Sequence, residues 1–258
     1  MRNYRIACGT VNQTPLDWTG NLTRLKEIIR EAKNEGVDIL CLPELSLTGY
    51  GCEDLFLSDW LPKKAVQLAA ELIKETDGLL TAITIPIPFK GKTYNCAVVV
   101  QNQQVLGIYA KQYMALDGVH YEPRWFEPWP IGLVEEIDLW GDKHKIGDLT
   151  FDFEEWTIGF EICEDAWRGA DRPACRLVKR AVNLILNPSA SHFAMLKTHD
   201  RINLVKASSK DFNCTYVYAN LLGNEAGRMI YDGELLIAQQ GELVLRNDLL
   251  SFQPSQLA

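Results

Sequence analysis

The chain has 258 residues, of which 47% are hydrophobic and 23% charged, and its formal net charge is -8. Those proportions belong to a globular protein with enough apolar surface for a sizeable core, and a single α/β domain of this length is ordinary. Such acidity, with no run of Lys or Arg, argues against nucleic acid or an anionic membrane as a partner.

Arg5 to Val11 reads as a first strand. Asn21 is placed to cap a helix whose apolar face is Leu22, Leu25, Ile28, Ile29 and Ala32, and Gly36 ends it. Val37 to Leu42 is a second strand, largely apolar as buried strands are; it stops at Pro43, and Glu44 follows. This opening predicts a βαβ-like unit. A glycine-punctuated loop leads to a helix over about Asp59 to Glu75, with Pro62 in its first turn. Leu79 to Ile85 is a third strand, closed by Pro86 and Pro88. Tyr94 to Val100 and Gln104 to Ala110 form a hairpin, and Lys111 stands at its end.

From Gln112 to about Thr150 little regular pattern is found, and Pro123, Pro128 and Pro130 interrupt it. Trp125, Phe126 and Trp129 are too apolar for a loose linker, so this stretch reads as a packed lid or a contact surface. Lys143-His144-Lys145 reads as a solvated turn. Thr157 to Ile162 is a strand that ends abruptly in Cys163, with Glu164 and Asp165 directly after it. Asp171 to Ala181 reads as a helix, Val182 to Asn187 as a strand, and Pro188 to His192 as a turn after it. A helix from about Lys197 to Asp211, a strand from Thr215 to Asn220, and glycine turns with short strands to about Arg246 complete the pattern.

No signal peptide precedes the first strand, and no apolar run approaches the roughly 18 residues of a membrane span. The seven cysteines have no regular spacing and form no Cys-x-x-Cys pair, so they read as reduced thiols and predict a cytoplasmic protein. His120, His144, His192 and His199 have no metal-ligand spacing, and no metal is expected.

Glu44, Lys111 and Cys163 share one description: each lies at or just beyond the C-terminal end of a predicted strand. In layered α/β folds those ends converge on one edge. A thiol needs a base to become a thiolate, and an ammonium stabilises both the thiolate and a later oxyanion. Glu44 then reads as base, Lys111 as electrostatic stabiliser and Cys163 as nucleophile, a set suited to attack on an amide or nitrile carbon through a thioester. Singly, each has a plainer reading: Cys163 as a core thiol, Glu44 as a cap or surface acid, Lys111 as a solvated charge.

Leu42-Pro43-Glu44-Leu45, Lys111 after an alternating strand, and Ile162-Cys163-Glu164-Asp165 resemble the three signatures of the nitrilase, or carbon–nitrogen hydrolase, superfamily. The resemblance spans Arg5 to about Arg246. It implies an α/β fold of four-layer α-β-β-α type, a catalytic Glu44-Lys111-Cys163 triad without metal, and an oxyanion hole completed by the Glu164 backbone N–H. Leu47-Thr48-Gly49-Tyr50, the aromatic stretch Tyr121 to Trp129, and Asn187-Pro188-Ser189-Ala190-Ser191-His192 are similar, more narrowly, to the glutaminase domains of glutamine-dependent NAD synthetases.

That narrower resemblance implies hydrolysis of glutamine to glutamate and ammonia, the ammonia serving to amidate deamido-NAD on a synthetase domain. Residues 1–250 would form the amidohydrolase domain and 251–258 a tail or the start of an interdomain linker. The synthetase domain, with its ATP and magnesium, would lie outside this chain. A homo-oligomer is implied as well. Glu122 is a candidate supporting carboxylate beside Lys111. Ser189, Ser191 and Arg201 fall where glutamine contacts are expected; the alternative is that the serines cap the next helix and Arg201 pairs on the surface. His192 reads as a packing or capping residue. Two other functions stay open: a stand-alone carbon–nitrogen hydrolase acting on another ω-amide or carbamoyl substrate, and a non-catalytic scaffold.

Overall fold

The computed structural model describes residues 3–225 and 227–258. β1 (Ile6–Val11) pairs in parallel with β2 (Ile39–Cys41), and α1 (Trp18–Asn34) crosses between them. The buried face of α1 is Asn21, Leu25, Ile28, Ile29 and Ala32, the spacing read from the sequence. Its cap differs. The Asp17 carboxylate accepts the Gly20 N–H at 2.9 Å, while Asn21 lies inside the helix and donates to the carbonyls of Thr14 and Leu47.

A 3₁₀ segment at Tyr50–Leu57 leads into α2 (Trp60–Ile73). β3 (Leu80–Phe89), β4 (Lys92–Gln101) and β5 (Gln104–Ala110) form a meander. Asn102 and Gln103, at its second turn, both have positive φ, as tight hairpin turns require. The expected stop at Pro86 and Pro88 does not occur. β3 runs through both because its pairing with β2 ends at Ala82, so no partner strand needs their missing N–H groups.

The stretch expected to lack pattern contains α3 (Glu122–Trp125) and a hairpin of β6 (Val134–Leu139) with β7 (Asp142–Gly147). Lys143-His144-Lys145 is therefore strand, not turn. Its charges sit on the outermost hairpin of a sheet, where solvated side chains carry no strand signature. β8 (Phe151–Phe153) and β9 (Trp156–Phe160) follow. The helix expected over residues 171–181 is broken into α4 (Ala174–Leu177) between two 3₁₀ turns. β10 (Leu184–Ser189) continues through Pro188, beyond the end of its pairing with β9 at Leu186, so the expected turn begins two residues later.

α5 (Lys197–Asp211) and β11 (Thr215–Asn220) lie as read. The remaining strands are β12 (Leu222–Asn224), β13 (Ile230–Asp232), β14 (Leu235–Gln239), β15 (Glu242–Arg246) and β16 (Ser255–Leu257). The last of these falls in the segment read as a tail or linker. It pairs antiparallel with β1, covering that strand's free edge.

Two sheets carry the fold. One has the order β16-β1-β2-β3-β4-β5-β7-β6, the other β15-β14-β11-β10-β9-β8. Cys41, Leu80, Val99 and Tyr109 of the first pack with Phe160, Leu186, Val217 and Ile237 of the second in a shared core. α1 and α2 cover the outer face of the first sheet, and α4 and α5 that of the second. The result is the expected α-β-β-α sandwich. Each large side chain in the inter-sheet layer contributes about 1.5–3 kcal/mol through burial. β2, β5 and β9 all deliver their C-terminal ends to one edge of this sandwich.

Candidate active site

Glu44 follows β2, Lys111 follows β5 and Cys163 follows β9, and the fold brings all three together with Glu122 of α3. Lys111 Nζ lies 2.6 Å from Glu44 Oε1 and 2.8 and 2.7 Å from the two oxygens of Glu122. All three side chains are fully shielded from solvent. The Asn95 amide donates to the same Glu44 oxygen at 2.7 Å. Glu44 Oε2, by contrast, is buried with no hydrogen-bond partner among the described residues. A buried carboxylate oxygen left bare is costly unless it is kept free for a proton.

Electrostatics complete the picture. Burial pushes Glu44 up to about 7, against the pull of the Lys111 ammonium. Burial also works against charge on Lys111, but Glu122 and Glu44 outweigh it, and Lys111 stays protonated. The Cys163 thiol is driven well above its usual range, chiefly by burial and then by Glu44 and Glu122; Lys111 and the backbone N–H of Ala190 pull it back. Cys163 is therefore a thiol at rest and needs a base to become nucleophilic.

Cys163 has a φ of +48°, a left-handed conformation unusual for a residue with a side chain. It opens a 3₁₀ turn, Cys163–Trp167, and Glu164 is second in that turn, where backbone N–H groups lack helical partners. The turn is held by Asp165. One Asp165 oxygen accepts the Ile162 N–H at 2.9 Å, and the other accepts those of Gln112 and Tyr113 at 3.1 and 2.8 Å. This one buried carboxylate thus ties the turn bearing Cys163 to the segment directly after Lys111. Sequence reading passed over Asp165, although its place two residues after the cysteine was visible. Asn95, Tyr50 and His120 were also missed, because their roles arise from contacts far apart in sequence.

Glu122 sits where it was expected, beside Lys111. Its Oε2 also accepts the Ala115 N–H, and its Oε1 the Tyr50 hydroxyl. Trp125, Phe126 and Trp129 pack inward, so the aromatic stretch is a packed cover. The Ser189 hydroxyl donates to Asn187 Oδ1, and Ser191 Oγ accepts from Arg201. Neither serine caps α5.

Arg201 requires a correction. It is fully buried, not a surface pair, and its guanidinium is bonded to Asp232, Glu234, and the carbonyls of Ser191 and His192. With those partners it holds the Ser191–His192 turn in place; both terminal nitrogens are engaged, and its buried Nε is without a partner among the described residues. A further cation near the site, unremarked in the sequence, is Lys197. It bonds His192 Nδ1 at 3.3 Å and lies within electrostatic reach of Cys163 and Asp117. Surface clefts of 590 and 370 Å³ lie elsewhere and are lined by none of Glu44, Lys111 and Cys163.

A sandwich that brings a buried thiol, carboxylate and ammonium to one strand edge holds the groups that nucleophilic attack on an amide carbon would use. Residues 5–251 match the carbon-nitrogen hydrolase family, and the chain belongs to it. Over its full length the chain is 47% identical to a solved glutamine-dependent NAD(+) synthetase from Cytophaga hutchinsonii, with a TM-score of 0.93, and covers 42% of that chain. The glutamine-dependent NAD(+) synthetase of Dictyostelium discoideum is 31% identical over 97% of this chain. This chain spans 37% of that relative's length. An amidase from Nesterenkonia, at 18% identity and a TM-score of 0.80 over 90% of its own chain, shares the fold.

Proposed function

We propose that this domain hydrolyses the side-chain amide of glutamine to glutamate and ammonia through a thioester on Cys163. The observation that carries the reading is Glu44: one oxygen is held by Lys111 and Asn95, and the other is buried and bare. Glu44 takes the thiol proton through that free oxygen. The thiolate attacks the carboxamide carbon, and Lys111 with the Glu164 N–H receives the oxyanion. Glu44 returns the proton to the leaving nitrogen, and ammonia departs. Water, deprotonated by Glu44, then cleaves the thioester. Glu122 holds Lys111 charged and in place.

The choice of glutamine rests on the synthetases to which the chain is similar, since their names record glutamine dependence. We assign Lys197 to the substrate's α-carboxylate, because it bonds His192 Nδ1 and lies within electrostatic reach of Cys163. Ammonia would pass to a synthetase domain that amidates deamido-NAD with ATP and magnesium. A cytoplasmic homo-oligomer accords with this reading.

Ammonia release from glutamine, measured against a panel of ω-amides and carbamoyl compounds, tests it. Preference for glutamine is expected, with loss in Cys163→Ala. Turnover of another amide at higher kcat/KM would replace glutamine and favour a stand-alone hydrolase. No turnover of any of them would favour a scaffold.

A further inference from the structure

The catalytic cluster is sealed, yet its chemistry leaves a proton behind. An amide and water give a carboxylate, free ammonia and one proton. If ammonia departs unprotonated, as it must to act as a nucleophile elsewhere, that proton ends on Glu44 after water is deprotonated. Glu44 must lose it before the next turnover. Glu44, Lys111 and Glu122 have no contact with solvent.

One hydrogen-bonded chain leads outward from them. Lys111 Nζ joins Glu44 to Glu122. The Tyr50 hydroxyl lies 2.8 Å from Glu122 Oε1 and 3.1 Å from His120 Nδ1. His120 Nε2 lies 3.0 Å from His192 Nδ1. Tyr50 and His120 are buried; His192 is half-buried and reaches the surface beside Lys197. Every link from Glu122 onward is a group that can both donate and accept.

We propose that Tyr50, His120 and His192 form a relay that carries one proton per turnover from the Glu44–Lys111–Glu122 cluster to solvent. The inference rests on the amide hydrolysis proposed above. Lys111 gives a proton to Glu122 as it takes one from Glu44. Protonated Glu122 donates to the Tyr50 oxygen, Tyr50 passes its hydroxyl proton to His120 Nδ1, and His120 passes its Nε2 proton to His192 Nδ1. Three protons shift by one bond each after the Lys111 exchange, and the net result is ionised Glu44 and Glu122 with a cationic His192.

The surroundings suit the direction. His120 faces Glu122, Lys111, His192 and Lys197, and burial holds its imidazole at about 4, so it stays neutral and conducts without trapping the proton. His192 faces Lys197, Arg201, Asp117 and Asp232, and Tyr50 faces Glu122, Glu44, Tyr231 and Cys163. Two cations beside His192 favour onward release to water.

The test is His120→Gln in the whole chain, since Gln keeps a donor and an acceptor but moves no proton. In a quenched-flow measurement of ammonia, the first equivalent should appear at the native rate. Later turnovers should slow by about tenfold or more, and added imidazole should restore them. Tyr50→Phe, which keeps the ring's packing, should give the same pattern and serves if His120→Gln fails to fold. Native steady-state rates in both variants would overturn the relay. So would equal slowing of first and later turnovers without response to imidazole, which marks a structural role. If the native chain releases no ammonia from glutamine, the glutamine reading fails, and the same comparison with propionamide still decides the relay. A native chain inert to both amides overturns both.

Discussion

At Cys163 the backbone φ of +48° turns the thiol off the end of β9 and into a cluster that holds two carboxylates and one ammonium. Because burial keeps this thiol protonated, activity depends on a base with an affinity for protons near neutrality, and Glu44, raised to about 7, meets that need. Glu44 must be ionised to act, so kcat/KM should rise with pH and reach half its plateau near pH 7. Glu44→Gln should abolish turnover with the fold intact by circular dichroism, and Lys111→Met should do likewise through the lost charge. A pH–rate profile flat between pH 5.5 and 8 would assign the base elsewhere. Stability runs the other way. The folded state binds the Glu44 proton more tightly than the unfolded chain, so this residue's contribution is present below about pH 4.5 and lost as pH rises through 7.

Among the elements, the turn after β9 depends on Asp165. Asp165→Ala would leave the buried N–H groups of Ile162, Gln112 and Tyr113 without their acceptor. A loss of about 3 kcal/mol or more is expected in denaturant unfolding, with cysteine alkylation slowed as well. Phe160, stacked on Tyr109 at 5.6 Å between the sheets, should cost about 3–5 kcal/mol on truncation to Ala. These elements differ in how far the sequence showed them. α1, α5, β4 and β5 were legible because periodicity reports burial directly. β6 and β7 were hidden, since an edge hairpin of Glu, Asp, Lys and His has no apolar run. β3 and β10 were cut short at prolines, because a sequence does not say which side of a strand goes unpaired. In the site, Glu44, Lys111 and Cys163 stood out through their shared position at strand ends. Tyr50, His120 and His192 did not, because their hydrogen bonds join residues about 70 positions apart.

Over the whole molecule, the sandwich is closed at one edge by the last residues. The Cys8 N–H donates to the Ala258 carbonyl at 2.9 Å, the Ala258 N–H returns the bond at 3.0 Å, and Asn12 donates to Pro254. Truncation before Ser251 would expose β1 as a free edge. It should lower the Tm by about 5 °C or more and promote association, visible by light scattering. An unchanged Tm would show that β16 adds nothing to the sheet. The same edge-to-edge construction places three separate strand ends at one site.

That convergence is tested most directly by intact-mass labelling with a diazo-ketone analogue of glutamine, followed by peptide mapping and competition with glutamine. A single adduct on Cys163 is expected, blocked by glutamine and absent in Glu44→Gln, with the other six cysteines unlabelled. Labelling of a different cysteine, or of Cys163 at the native rate in Glu44→Gln, would contradict it.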